Sequence, residues 1–225
     1  LVAQNSQRLL SAEPEIVVNN FDTTEKKVAD FKIQLSQNTV RVIEAIDGQL
    51  ITRTHIAELP MDANGNAVSD TQKDILKIAV VNRYHDAPVA VAFIKNFGLK
   101  RGALASSVAH DSHNIIVVGA DDESMCQAVN AIIQEKGGLS VTDGAHIRVL
   151  PLPVAGLMST DSCEVVAEKY TGLVRFSKDI GCTLHSPFMT LSFMALLVIP
   201  QLKLSDKGLF DGAQFRFCDL EVKND

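Results

Sequence analysis

The chain has 225 residues, 46% of them apolar and 21% charged, with 27 acidic against 21 basic side chains and a formal net charge of −6. That length supports one well-packed domain with at most a small appendage. The acidic balance, with no run of Lys or Arg longer than two, leaves no electrostatic footprint for nucleic acid.

The opening "LVAQNSQRLLS" reads as two short strands around a polar turn at Gln4 to Gln7, with no further strand to pair with before "FDTTEKKVADF". A lone hairpin is marginal in water. Residues 1–24 are therefore expected to be the tail of a preceding domain plus a linker, with the main domain over 25–225. From about residue 30 the pattern is mostly period two: "FKIQL" and "TVRVIEAI" alternate, Asp47-Gly48 is a turn signal, and "GQLITRTHIAEL" resumes as a strand. After a polar loop with Asn64-Gly65 at its tip come "DILKIAVVNRY", "PVAVAFIKNFG", "GALASSVA" and "NIIVVGA", each short, β-branched and bounded by Gly, Pro or Asp.

A helix is predicted over 121–136, with acids in its first turn, Met125, Ala128, Val129, Ile132 and Ile133 at helical spacing, and Gly137-Gly138 closing it. The segment "GLSVTDGAHIRVLPLP" then reads as a hairpin turned at Asp143-Gly144. A second helix is predicted over 159–180, capped at Ser159 or Thr160, with Cys163, Val166, Tyr170 and Leu173 on one face, stopping at Gly181. Strands outnumber helices and a hairpin separates the helices. The fold class is α+β, with mixed or mainly antiparallel sheets and a few packing helices.

The apolar run "FMTLSFMALLVI" is shorter than the roughly 20 residues that span a bilayer and contains Thr190 and Ser192, so it is expected in a protein core rather than in lipid. The start of the chain carries no secretory pattern, and the four cysteines are widely spaced without a C-x-x-C pair, as suits buried thiols in a reducing compartment. A cytoplasmic protein with neither membrane nor nucleic-acid partners is the expectation.

The standard phosphate-loop, dinucleotide, serine-hydrolase and zinc signatures are all missing, and there is no H-x-H. What remains is His110-Asp111-Ser112-His113-Asn114. Its i, i+3 histidines could, with a carboxylate, ligate a metal or move protons near neutral pH. The same residues could equally form a β-turn, with the polar side chains bonding local amides and the histidines half exposed. His55, His85, His146 and His185 are isolated, His146 alternating with Ile147 and Val149 as a solvent-side strand residue does. Met158, Met189, Phe193 and Met194 sit beside Pro-restricted backbone, where flexible thioethers either line a pocket for a flat apolar ligand or fill a core. Leu157, Met158, Phe188, Met189 and Phe193 are expected to form a docking patch for the preceding domain, the alternative being that they fill this domain's own core.

"DILKIAVVNR", "FGLKRGALASSVAHDSHNIIVVG", "LPLPVAGLMS" and "PFMTLSFMALLVIPQLKLSDKGLFD", in this order, resemble the C-terminal domain of the bacterial and archaeal adenine deaminases of the amidohydrolase superfamily. Leu197 stands where that pattern has proline, and Gln201 where it has glutamate. The opening hairpin is similar to the last one of the β-sandwich that flanks the family's metal-bearing barrel. The resemblance implies a C-terminal part of an enzyme that hydrolyses adenine to hypoxanthine and ammonia, with a two-metal manganese or iron centre in an N-terminal barrel domain absent from this chain, and assembly as a homo-oligomer. It makes His110, Asp111 and His113 candidates for a catalytic part. Asn114, Met158, Ser159, Met189 and Ser192 become candidates for binding substrate, and His110 and His113 for an accessory metal. The alternative is a non-catalytic α+β module that binds a partner domain or a purine-like ligand.

Overall fold

The computed structural model describes residues 3–5, 7–10 and 17–222. Strands β1 (Ala3–Gln4) and β2 (Gln7–Arg8) form a hairpin paired only with itself among the described residues; Leu1, Val2, Ser6 and Ser11 of the expected hairpin lie outside them. The segment "FKIQL" is not the strand its alternation suggests. Phe31 ends a 3₁₀ turn over Val28–Phe31 that Asp30 holds by accepting from Lys27 N at 2.7 Å, and only a single bridge, Gln34 to Asn66, follows. The reason is tertiary: Phe31 is fully buried in an apolar cluster, an anchorage worth about 2 kcal/mol that a flat strand would forgo.

Eight strands then build one twisted sheet. They are β3 (Thr39–Ala45), β4 (Thr52–Glu58), β5 (Ile75–Val81), β6 (Ala90–Lys95), β7 (Ala103–Ser106), β8 (Ile115–Gly119), β9 (Gly138–Thr142) and β10 (Ile147–Pro151). Their order is β10-β9-β7-β8-β5-β6-β3-β4, antiparallel throughout except between β3 and β6. Both Gly-containing hairpin turns read from the sequence are present, Gly48 and Gly144 taking the positive φ that only glycine adopts without strain.

Helix α1 (Asp122–Gln134) covers one face of the sheet, with Met125, Ala128, Val129, Ile132 and Ile133 buried against Ala103, Ala105, Ile115 and Val117. The opposite face carries α2 (Cys163–Asp179), α3 (Pro187–Phe193) and a small antiparallel sheet of β11 (Leu202–Ser205), β12 (Gly208–Asp211) and β13 (Arg216–Phe217). Covered from both sides, β5 and β8 are buried at every position, which is why their sequences run apolar rather than alternating. The one charge in β5, Lys77, is neutralised by Asp122 of α1 at 2.6 Å and donates to Phe31 O.

A further expectation needs correction. The second helix begins at Cys163, not at Ser159 or Thr160, and leaves Cys163 exposed; its buried stripe is Leu173, Phe176 and Ser177, with Val166 and Tyr170 half-buried. Ser159 instead accepts from Asp161 N at 3.1 Å in a local turn that delays the helix. The run "PFMTLSF" is a helix that apolar content alone did not separate from strand, started by Pro187 at its first position. No helix among the described residues is long and apolar enough to cross a membrane.

Candidate functional site

Antiparallel pairing brings three connections to one end of the sheet. Val81 at the end of β5 faces Ile115 at the start of β8, Ser106 at the end of β7 faces Leu139, and Gly138 faces Pro151 at the end of β10. The segments 82–85, 107–114 and 152–158 are therefore neighbours. The histidine cluster lies in the middle one.

His110 and His113 come together there, their rings 5.6 Å apart and edge-on. His110 also lies against Phe193 of α3 at 4.8 Å, and its N–H donates to Ser192 O at 3.1 Å, so the end of α3 fixes it. His113 takes a left-handed φ of +54°, uncommon for a side chain with a Cβ, and is held there by its N–H bond to Ala109 O at 2.6 Å. Burial pushes the His113 imidazole below its usual range, and the neighbouring His110 and Arg83 push in the same direction against Asp111. The ring is thus neutral at neutral pH, with a nitrogen lone pair to offer.

The sequence reading missed the two residues that brace this loop. Arg83 is buried, its guanidinium 4.8 Å from the Tyr84 ring centroid and 5.7 Å from that of Phe21. Its backbone N–H donates to Asn114 Oδ1 at 3.3 Å, Nη1 to Ala155 O at 2.8 Å and Nη2 to Tyr84 Oη at 3.1 Å; Tyr84 Oη in turn donates to Ser112 O at 2.6 Å. One arginine and one tyrosine so tie the histidine loop to the 152–158 loop. The available signal was the polar triplet Asn82-Arg83-Tyr84 directly after a fully apolar strand, where a chain leaving a sheet presents side chains to a site. Gly156 leaves room for Arg83, since a Cβ there would stand 1.9 Å from Nη1. Arg83 Nε and His113 Nδ1 are buried without a hydrogen-bond partner among the described residues.

The other candidates divide. Asn114 is buried and serves Arg83. Ser192 is buried, its Oγ donating to Met189 O within α3. Met158 and Met189 are more than half exposed, and Ser159 is engaged with Asp161. Of the five residues expected to form a docking patch, Phe188 is buried and Leu157 and Phe193 are partly buried, so the apolar surface is narrower than the sequence suggests.

Beside the histidine loop opens a cleft walled by Asp111, Ser112, Val198 and Asp206, with Phe215 and Phe217 standing edge-on to Phe210 at 5.4 and 5.2 Å. Its aromatic faces are solvent-exposed, a disposition suited to a planar ring or to an apolar neighbour. Among the described residues no three His, Cys, Asp or Glu side chains converge to hold a metal ion. His110 and His113 could supply two nitrogen ligands; a third would have to come from elsewhere.

Residues 49–216 match the family model described as "Adenine deaminase C-terminal domain". The adenine deaminase of Salinibacter ruber is 49% identical over 221 residues, covering 97% of this chain and 40% of that protein. Those of Methanosarcina mazei and Methanosarcina barkeri are 55% and 47% identical, covering 80% and 97% of this chain but 32% and 41% of their own lengths. The chain thus spans about two fifths or less of the relatives it matches.

Proposed function

The chain belongs to the adenine deaminase family, matching its C-terminal domain, and we propose that it serves as that domain within an enzyme that hydrolyses adenine to hypoxanthine and ammonia. In this reading water adds to the amidine carbon of the purine, a proton reaches the exocyclic amine, and ammonia leaves. The observation that carries it, beside the family match, is the histidine loop braced by Arg83 and Tyr84 at the rim of an aromatic cleft.

Each residue of this chain then has a share. Phe215 and Phe217 offer ring faces and edges to a purine, and Asp111 offers an acceptor to its amine. The neutral His113 accepts or passes a proton, while Phe193 and the Ser192 carbonyl orient His110. The manganese or iron pair implied by the family does not fit the described residues, which bring together no ligand set, and no step is assigned to it. Its place would be the N-terminal barrel domain, the first partner this reading requires. A homo-oligomeric cytoplasmic enzyme of purine salvage is the setting that goes with it.

The test is a deamination assay on two samples, this chain alone and the full-length protein, each supplied with manganese and adenine. The full-length protein should release hypoxanthine and the chain alone should not. Turnover by the chain that persists through purification, or none by the full-length protein, would contradict the reading.

A further inference from the structure

The strand order ends at β10, and pairing parity shows which of its backbone groups are unused. Asp143 N bonds His146 O and Leu152 N bonds Gly137 O, so His146, Arg148, Leu150 and Leu152 turn their backbone groups toward β9. Ile147 and Val149 therefore point their N–H and C=O outward, where they meet no partner among the described residues. Pro151, which has no N–H, closes the free stretch.

Helix α2 overhangs this edge. Its sheet contacts fall mainly on β9 and β10, where Leu173 and Phe176 are buried and Arg148 lies 4.9 Å over the Phe176 ring. Val166 and Tyr170 pack its N-terminal half on the core, but the side turned to this edge is uncovered: Val165, Lys169 and Gly172, at successive turns, line a groove with Arg148 and Val149. Val165 is 39% exposed, and Ile147, on the opposite face of the strand beside α1, 43%. A helix beside a free edge, with apolar residues over empty space, is a layer that lacks one strand.

The charges select the occupant. Lys169 is already paired with Asp161 at 2.6 Å, which leaves Arg148 and Arg175 lining the groove beside Glu168, and neither arginine has a carboxylate partner among the described residues of this acidic chain. A second copy paired antiparallel through Ile147 and Val149 would set Arg148 directly opposite Arg148, a like-charge cross-strand pair. We infer that β10 receives a ninth strand, an extended acidic segment supplied by the part of the full-length protein outside this chain. The inference rests on the proposed function only for the existence of that part. The relatives, which extend well beyond this chain, have ample length to supply it. Main-chain bonds to Ile147 and Val149 would hold the segment, with apolar side chains on Val165 and carboxylates on Arg148 and Arg175.

Residue-resolved amide hydrogen exchange of the full-length protein tests this, with the 225-residue chain at two concentrations for comparison. Ile147 and Val149 amides should exchange at least about tenfold more slowly in the full-length protein than in the chain. The Arg148→Glu, Arg175→Glu double variant should abolish the difference while Val117, in β8 at the middle of the sheet, stays protected as the folding control. Equal exchange in both samples, protection that survives charge reversal, or protection in the chain that grows with concentration would each overturn the inference. Adenine turnover is measured on the same preparations: turnover without protection refutes the ninth strand alone, and protection without turnover refutes the proposed function alone.

Discussion

Arg83 joins more of the site than any histidine does, because its backbone and its neighbour Tyr84 hold the histidine loop while its guanidinium holds the 152–158 loop. Gly156→Ala should therefore act on the site through Arg83: the new Cβ would meet Nη1 and sit at a φ of +70°. A loss of about 1–3 kcal/mol in urea unfolding is expected. Unchanged stability would mean that the guanidinium is not held where the bonds to Ala155 and Tyr84 put it. A second residue-scale prediction concerns Lys203, which is fully buried and, among the described residues, donates only to the carbonyls of Leu50 and Phe193, at 2.6 and 3.0 Å. Desolvation lowers its pKa from 10.5 to about 8. The folded chain then binds fewer protons than the unfolded one between those values, so stability must rise with pH across that window. Relative to Lys203→Met, the wild type should gain up to about 3 kcal/mol from pH 8 to pH 10.5, measured as paired denaturant curves. A flat difference would show that the ammonium is not desolvated.

At the scale of elements, helix boundaries and helix faces give the sharpest contrasts. Asp121 caps α1 by accepting from Ser124 N at 2.7 Å, and Asp121→Ala should cost about 1 kcal/mol with no change in fold. In α3 the exposed Met189 and buried Phe188 predict opposite outcomes for neighbouring positions: Met189→Lys within about 0.5 kcal/mol of wild type, Phe188→Ala down by about 3–5 kcal/mol. Similar losses at both would mean that α3 packs differently. Much of this level was legible in the sequence. The strands from β3 to β10 and the whole of α1 follow from periodicity, Gly turns and an acidic first turn. "FKIQL" and "PFMTLSF" were not, because their apolar residues answer to contacts distant in sequence: Phe31 to the α1 cluster and Leu191 to the main core. The histidine loop was visible as a cluster of polar types. Its braces were not, since nothing local in Asn82-Arg83-Tyr84 says that the far side of the sheet end is occupied by residues 112–114 and 155.

Taken whole, the molecule is a sheet clad on both faces, with three of its loops gathered at one end and an open strand at one edge. In our reading the first takes a ligand and the second a neighbouring polypeptide. The fold accounts for why the chain can be stable yet, in our reading, inert alone: it supplies histidines, an aromatic cleft and a brace, while the ligand set for metal-assisted hydrolysis is not among its described residues. The claim on which this account turns is that the 110–114 loop takes part in deamination. It is tested most directly by kcat/KM for adenine in the full-length protein carrying His110→Ala or His113→Ala, with thermal melting of the same samples. A fall of about tenfold or more, roughly 1.4 kcal/mol, at unchanged melting temperature is what the account predicts. Full specific activity in variants that melt early would contradict it and leave the loop a structural turn.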